Sequence, residues 1–230
     1  MDTPSLELEM SPEVHAGQAV YTRWTLRRLY DVGVLGYSNR FVWKCPTPTQ
    51  LEWYDENVSA NHLDVGVGTG YFIDRCTWPS PSPRLALMDL NANSLEHAAR
   101  RTARYSPETY RRNVLAPIDF DAPRFDSIGL NCLLHCLPGA MDEKAVVFDN
   151  LRPLLNPGGC LFGSTLLQGD VPRSAQARLL MGIYNRKGSF SNQRDTLESL
   201  DRALRSRFKE SQVTVHGCVA LFRARSWGRA

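Results

Sequence analysis

Paired cysteine patterns are missing from this chain. Its six cysteines, at positions 45, 76, 132, 136, 160 and 218, include no Cys-x-x-Cys. That argues against a structural zinc or other metal site, and scattered thiols suit a reducing compartment. Cys132 and Cys136 approach each other only if their segment is helical, and they read as buried thiols. No stretch reaches the roughly 20 apolar residues that a membrane span needs. The opening Met-Asp-Thr-Pro-Ser-Leu-Glu is acidic and has no apolar centre. No signal peptide is therefore expected, and the chain reads as cytoplasmic with no membrane partner. Net charge is only +3, too weak to imply a polyanionic partner. Arginines at 100, 101, 104, 111 and 112 form a local basic cluster, read most simply as a solvated face. No nucleic-acid partner is expected, since a binder needs a larger basic balance and a dedicated domain. Repeats and low-complexity tracts are also missing.

What is present suits one globular unit. The chain has 230 residues, 43% hydrophobic and 22% charged, enough for a single substantial core. Residues 1–58 are rich in aromatics, among them Tyr21, Trp24, Tyr30, Tyr37, Phe41, Trp43, Trp53 and Tyr54. They read as an N-terminal helical cap, with helical pieces at about 13–30 and 48–58 and breaks at Gly33, Gly36 and Pro46. This cap either packs on the core or closes over a site. Residues 59–230 form the core of the same domain.

The most informative run is Leu63-Asp64-Val65-Gly66-Val67-Gly68-Thr69-Gly70. An apolar strand meets an acidic residue and then a turn with three glycines. Glycine tolerates positive φ and lets the backbone approach a ligand. Such a turn, at the carboxyl edge of a parallel sheet, is where α/β proteins bind nucleotide-like molecules. Spacing then selects. A dinucleotide loop wants Gly-x-Gly-x-x-Gly, which would put the third glycine at Tyr71, and a Walker loop wants Gly-Lys-Ser/Thr, which is absent.

Strands are expected at about 61–66, Arg84–Asp89, Tyr110–Leu115, Ser127–Asn131 and Cys160–Leu166, with a closing pair at 212–216 and 218–225. Leu85-Ala86-Leu87-Met88 is a continuous apolar run, as in a strand buried on both faces. Helices are expected from Tyr71 to about Cys76, from an N-cap at Ser94 to about Tyr105, over Asp142–Leu155 and through much of 168–207. Asn156-Pro157-Gly158-Gly159 reads as a helix stop. Strands alternating with helices imply an α/β fold, a parallel sheet with helices on both faces.

The pattern Asp-x-Gly-x-Gly-x-Gly resembles the first motif of class I S-adenosylmethionine-dependent methyltransferases. Asp89-Leu90-Asn91 with Asn93-Ser94-Leu95 looks like their second motif, and Leu151-Arg152-Pro153-Leu154-Leu155-Asn156-Pro157-Gly158-Gly159 looks like the helix before their fifth strand. These segments cover roughly residues 60–166. The resemblance implies a Rossmann-like sheet of seven strands, the last antiparallel, and S-adenosylmethionine as cofactor. It implies that Gly66, Gly68 and Gly70 cradle the cofactor, that Asp64 sits near its ammonium, and that Asp89 accepts both ribose hydroxyls. Asn113 falls where the family often places an Asp facing adenine, with Leu115 and Phe72 as flanking residues. The resemblance also makes Asn131 a candidate contact to the methionine end and His135, in the stretch opposite the methyl group in the family, the candidate catalytic base.

The segment Tyr30-Asp31-Val32-Gly33-Val34-Leu35-Gly36-Tyr37-Ser38-Asn39-Arg40-Phe41-Val42-Trp43-Lys44-Cys45-Pro46 looks like a subgroup of small fungal and bacterial tailoring methyltransferases. That implies a small-molecule acceptor, such as a hydroxylated polyketide or pyrone, methylated on oxygen. Tyr30 and Asn39 then close over the cofactor, and Trp43, Tyr184 and Phe190 line the acceptor pocket. Two other functions suit the same fold: RNA or protein methylation, and cofactor binding without transfer, as in a cyclase or scaffold. The oligomeric state is not written in the sequence.

Overall fold

The computed structural model describes residues 31–119 and 122–227, with side chains from residue 36 onward. The helix expected at 13–30, and with it Tyr30, lies outside the described residues. A π-helical segment spans Asp31–Val42 straight through Gly33 and Gly36, which were expected to break the chain. Helix α1 follows at Thr47–Asn57, with Pro48 in its first turn, where a missing N–H costs nothing.

Seven strands make one sheet. They are β1 (Asn61–Val65), β2 (Arg84–Asp89), β3 (Glu108–Arg111), β4 (Phe125–Asn131), β5 (Leu155–Leu166), β6 (Glu210–His216) and β7 (Val219–Arg225). Their order is β3-β2-β1-β4-β5-β7-β6. Pairing is parallel from β3 to β5, and β7 runs antiparallel between β5 and β6. The remaining helices are α2 (Tyr71–Arg75), α3 (Ala92–Arg101), α4 (Met141–Lys144), α5 (Val146–Leu151), α6 (Ala175–Arg186) and α7 (Leu197–Arg205).

Period-two alternation divides the core between the two faces of the sheet. Leu63, Ala86, Met88, Ile128 and Leu130 pack with Val147, Phe148 and Leu151 of α5 and Leu200 and Leu204 of α7. Leu85, Leu87, Phe162 and Leu221 pack on the other face with Trp53 and Tyr54 of α1, Leu95 and Ala98 of α3, and Met181 of α6. The residues expected to form a cap thus supply α1, which lies directly on the sheet.

Several boundaries differ from expectation. Helix α3 is capped by Asn91, whose side chain accepts from the N–H groups of Asn93 and Ser94, while Ser94 itself is buried inside the helix. Strand β3 stops at Arg111. Asn113 then forms a turn, its Oδ1 accepting from Leu115 N–H at 3.0 Å. The helix expected over Asp142–Leu155 is two short helices and a 3-10 turn, Arg152–Leu154, after which β5 already begins at Leu155. The supposed stop, Asn156 to Gly159, is the irregular first part of that strand, where the β4 register shifts between Phe125 and Ser127.

The β6–β7 hairpin reaches back to the start of the chain. Cys218 N–H donates to Trp43 O at 3.0 Å. Gly217 leaves room for that contact, since a Cβ there would collide with the Trp43 carbonyl.

Candidate active site

The carboxyl ends of β1, β2 and β4 converge on a cleft of about 760 Å³, open solvent at its mouth included. The parallel register sets Val65 beside Met88, so that Gly66 N–H donates to Met88 O at 2.8 Å and the glycine turn lies against the tip of β2. Gly66 and Gly68 line the cleft and, with Gly70, have φ of +71°, +51° and +71°, the left-handed region that disfavours a side chain. Gly70 has a different part from its neighbours. It precedes α2, and a Cβ on it would stand 3.1 Å from Ala98 Cα and Cβ, so it brings α2 close against α3 rather than facing the cleft.

Asp89, at the end of β2, lines the cleft. Burial pushes its carboxyl up to about 6, while the backbone N–H groups of Asn91, at 2.8 Å, Gly68 and Leu90 oppose the rise. A carboxylate has about four lone-pair sites and can take further hydroxyl donors. A carboxyl raised to about 6 binds a proton below that pH, and hydroxyl donors favour its ionised form, so a diol ligand held at Asp89 is expected to expel that proton. Affinity is therefore expected to fall as pH drops through 6, with net proton release measured by calorimetry in buffers of different ionisation enthalpy. Affinity that stays flat from pH 7.5 to 5 would dissociate Asp89 from the ligand.

Asp64 does not line the cleft. Strand alternation turns it to the face of Tyr54 and His62, and its Oδ2 accepts from Tyr54 Oη at 2.9 Å. Asn113 and Leu115 do line the cleft. The Oδ1 of Asn113 is committed to its own turn, so the amide offers the cleft a donor. Phe72 lies elsewhere, stacked on Tyr54 with ring centroids 6.0 Å apart.

At the end of β4, Asn131 pairs with Ser164 of β5. Its Oδ1 accepts from Ser164 Oγ at 3.3 Å, and its buried Nδ2 has no hydrogen-bond partner. Asn131 is not among the residues lining the cleft, and a buried donor left unmade costs about 1–3 kcal/mol. The next residue, Cys132, takes φ of +56° although it is not glycine. Cys132 and Cys136 both line the cleft, which the spacing did not reveal because nothing in sequence marks a left-handed cysteine. Burial raises both thiols, Cys136 to about 12, so neither supplies a thiolate.

His135 turns away from the cleft. Its Nδ1 accepts from Leu166 N–H at 3.3 Å, close to Thr165 Oγ1 at 3.4 Å, so the neutral ring carries its proton on Nε2. Burial, aided by the Lys144 charge, pushes its pKa down to about 3. Phe190 meets the imidazole edge-on at 4.7 Å and is flanked by Tyr184 at 4.9 Å and Trp43 at 6.3 Å. The three aromatics expected in an acceptor pocket thus form one cluster with His135, joined through Phe190, and none of them lines the cleft.

A methyltransferase-domain family model matches residues 63–161. The chain is 40% identical to demethylluteothin O-methyltransferase of Streptomyces thioluteus over 92% of both chains. It belongs to the S-adenosylmethionine-dependent methyltransferases. It is also 36% identical to the physcion biosynthesis cluster O-methyltransferase of Aspergillus chevalieri, over 90% of this chain and 94% of that one. Among solved structures, the DhpI–SAH complex superposes with TM-score 0.67 at 18% identity, over 96% of this methyltransferase and all of that chain. Human N-acetylserotonin methyltransferase gives 0.64 at 17% identity, over 94% and 60%. No helix among the described residues of the methyltransferase is long and apolar enough to cross a membrane.

The cofactor suits the residues present. The glycine turn leaves space for backbone approach, Asp89 retains acceptor capacity, apolar Leu90, Val114, Leu115 and Leu137 offer walls for a purine, and Asn131 Nδ2 awaits a partner.

Proposed function

We propose that this enzyme methylates an oxygen of a small, acidic enol, of the kind found in hydroxylated polyketides and hydroxypyrones. When bound, S-adenosylmethionine supplies an electrophilic methyl group on a sulfonium. The Asp89 carboxylate accepts the two ribose hydroxyls. Asp64, two residues before the glycine turn and outside the cleft lining, acts on the ammonium through a bridging water, and Asn131 Nδ2 donates to the methionyl carboxylate. Asn113 Nδ2 donates to a ring nitrogen of adenine, where an Asp would instead accept from the exocyclic amine. Trp43, Tyr184 and Phe190 hold a flat acceptor and exclude water. Alignment of this kind contributes on the order of 7–11 kcal/mol.

The acceptor class rests on one observation: the basic nitrogen of His135 is already occupied by Leu166 N–H. The ring is buried and turned from the cleft with its proton on Nε2, so it is not placed to take a proton from the acceptor. The acceptor then has to arrive ionised. An ordinary phenol with a pKa near 10 is only about a thousandth ionised at pH 7, whereas an acidic enol is fully so. The names of the relatives, O-methyltransferases of natural-product pathways, support oxygen as the target.

Labelled cofactor with a panel of hydroxypyrones and simple phenols tests this. Turnover is expected with the pyrones and to be at least about 10²-fold slower with unactivated phenols. His135→Asn, which can still accept from Leu166 and donate outward, is expected to keep kcat within about tenfold, whereas loss of a general base costs 10²–10⁴-fold. Loss on that larger scale, or transfer to RNA or protein alone, would overturn the reading.

A further inference from the structure

Asp64 ends a buried row of polar groups that methyl transfer itself does not use. Tyr54 Oη donates to Asp64 Oδ2 at 2.9 Å and stands 2.9 Å from His62 Nε2. With its proton directed at Asp64, the Tyr54 oxygen accepts from His62 Nε2–H. His62 Nδ1 lies 2.8 Å from Ser127 Oγ, which lies 2.8 Å from Ser59 Oγ. Tyr54, His62 and Ser127 are wholly buried and Asp64 nearly so. In such surroundings each bond is electrostatically stronger than in water, and a missing partner is costly.

The surrounding chain is shaped to hold this row. Residues 62 and 64 share a face of β1 because strand side chains alternate. Gly129 of β4 pairs with Asp64. A Cβ there would stand 3.2 Å from both Asp64 Oδ2 and His62 Cε1 and 3.3 Å from His62 Nε2. The Tyr54 ring lies against Phe162 at 5.1 Å and stacks on Phe72 of α2, the helix that follows the glycine turn. Burial and the neighbouring Asp64 charge keep the Tyr54 hydroxyl protonated, well above the usual phenol range.

We propose that Tyr54 and His62 are positioning residues for the methionyl ammonium of the cofactor: they fix the Asp64 carboxylate ahead of the glycine turn in one orientation, with Oδ2 committed to Tyr54 so that Oδ1 holds the water that bridges to the ammonium. This role rests on Asp64 acting on that ammonium. It also makes α1, ahead of the sheet in sequence, a contributor to cofactor affinity without touching the cofactor.

Tyr54→Phe keeps the ring and removes the hydroxyl. Calorimetry with S-adenosylmethionine and with S-adenosylhomocysteine, both of which carry the ammonium, is expected to give a Kd raised about tenfold for each. At saturating cofactor, kcat and the acceptor KM stay within about threefold. Unchanged Kd values would overturn the proposal, as would an equal loss in kcat. A second measurement uses the unmodified protein and does not depend on any variant folding. Saturation with S-adenosylhomocysteine is expected to shift the His62 Cε1–H resonance in an imidazole-selective NMR spectrum, and a resonance that stays in place would overturn the proposal. If the unmodified protein binds neither ligand, the cofactor reading itself fails and the positioning role with it. Normal binding by the unmodified protein together with normal binding by Tyr54→Phe removes the positioning role alone.

Discussion

Asp89→Ala is expected to raise the Kd for S-adenosylmethionine by on the order of 10²–10³-fold. The substitution deletes the acceptor proposed for two ribose hydroxyls, and hydrogen bonds to a charged group contribute about 1.5–3 kcal/mol each. It also strips Asn91, Gly68 and Leu90 of a shared acceptor, so the β2 tip loosens before any ligand arrives. Asp89→Asn separates the two effects. It preserves shape but points an amide N–H₂ at groups that are themselves donors, and the loss is expected to be nearly as large. Calorimetry checks both variants, with circular dichroism to verify the fold. A Kd within threefold of the unmodified protein would mean that the sugar is held elsewhere.

The largest stability effect is expected at Lys144. Its Nζ lies 2.6 Å from Asp195 Oδ2 and 2.6 Å from Ser191 O, and neither charged side chain is accessible to solvent. Burial alone pulls both groups toward their neutral forms, the lysine pKa downward and the aspartate pKa upward, and each charge restores the other. Lys144→Met leaves a carboxylate alone in the interior, at a cost of about 3–5 kcal/mol. For a chain of this size Tm should fall by on the order of 10 °C, and the urea midpoint should fall with little change in slope. Combining Lys144→Met with Asp195→Leu should recover most of the loss, because a well-packed apolar pair often replaces a buried ion pair at little cost. A single variant within 1 kcal/mol of the parent would contradict the account. The pair also has a functional side. It anchors the segment that carries Phe190, and Ser191 N–H donates to His135 O at 2.8 Å, so its loss loosens the packing of Phe190 against His135.

The most legible elements were those with burial on both faces. Strand β2 is found at Arg84–Asp89, as its unbroken apolar run implied. The glycine turn and Asp89 lie together because strand pairing brings neighbouring carboxyl tips to one edge. Legibility failed where tertiary contacts overrode local pattern. Strand β3 is a short edge strand of alternating half-buried and exposed residues. The apolar Val114 and Leu115, which suggested a continuing strand, instead line the cleft from the turn beyond it. Asn91 outcompetes Ser94 as cap because its Oδ1 reaches two N–H groups. His135 was legible as a histidine in the run after β4, but not that it turns from the cleft or that a backbone N–H from β5 occupies its lone pair. The partnership of Asp64 with Tyr54 depends on α1 lying across the sheet, a long-range packing outcome that residue spacing does not record.

The bond from the C-terminal hairpin to Trp43 spans 175 residues. At roughly 5–20 residues per second, ribosomal synthesis takes about 10–35 s to cover that interval. Throughout it, the nascent chain carries Trp43 and its apolar neighbours without the strands that later cover them. The Trp43 segment is thus made well before it is secured, and the growing polypeptide depends on whatever shields exposed aromatics until the β6–β7 hairpin emerges.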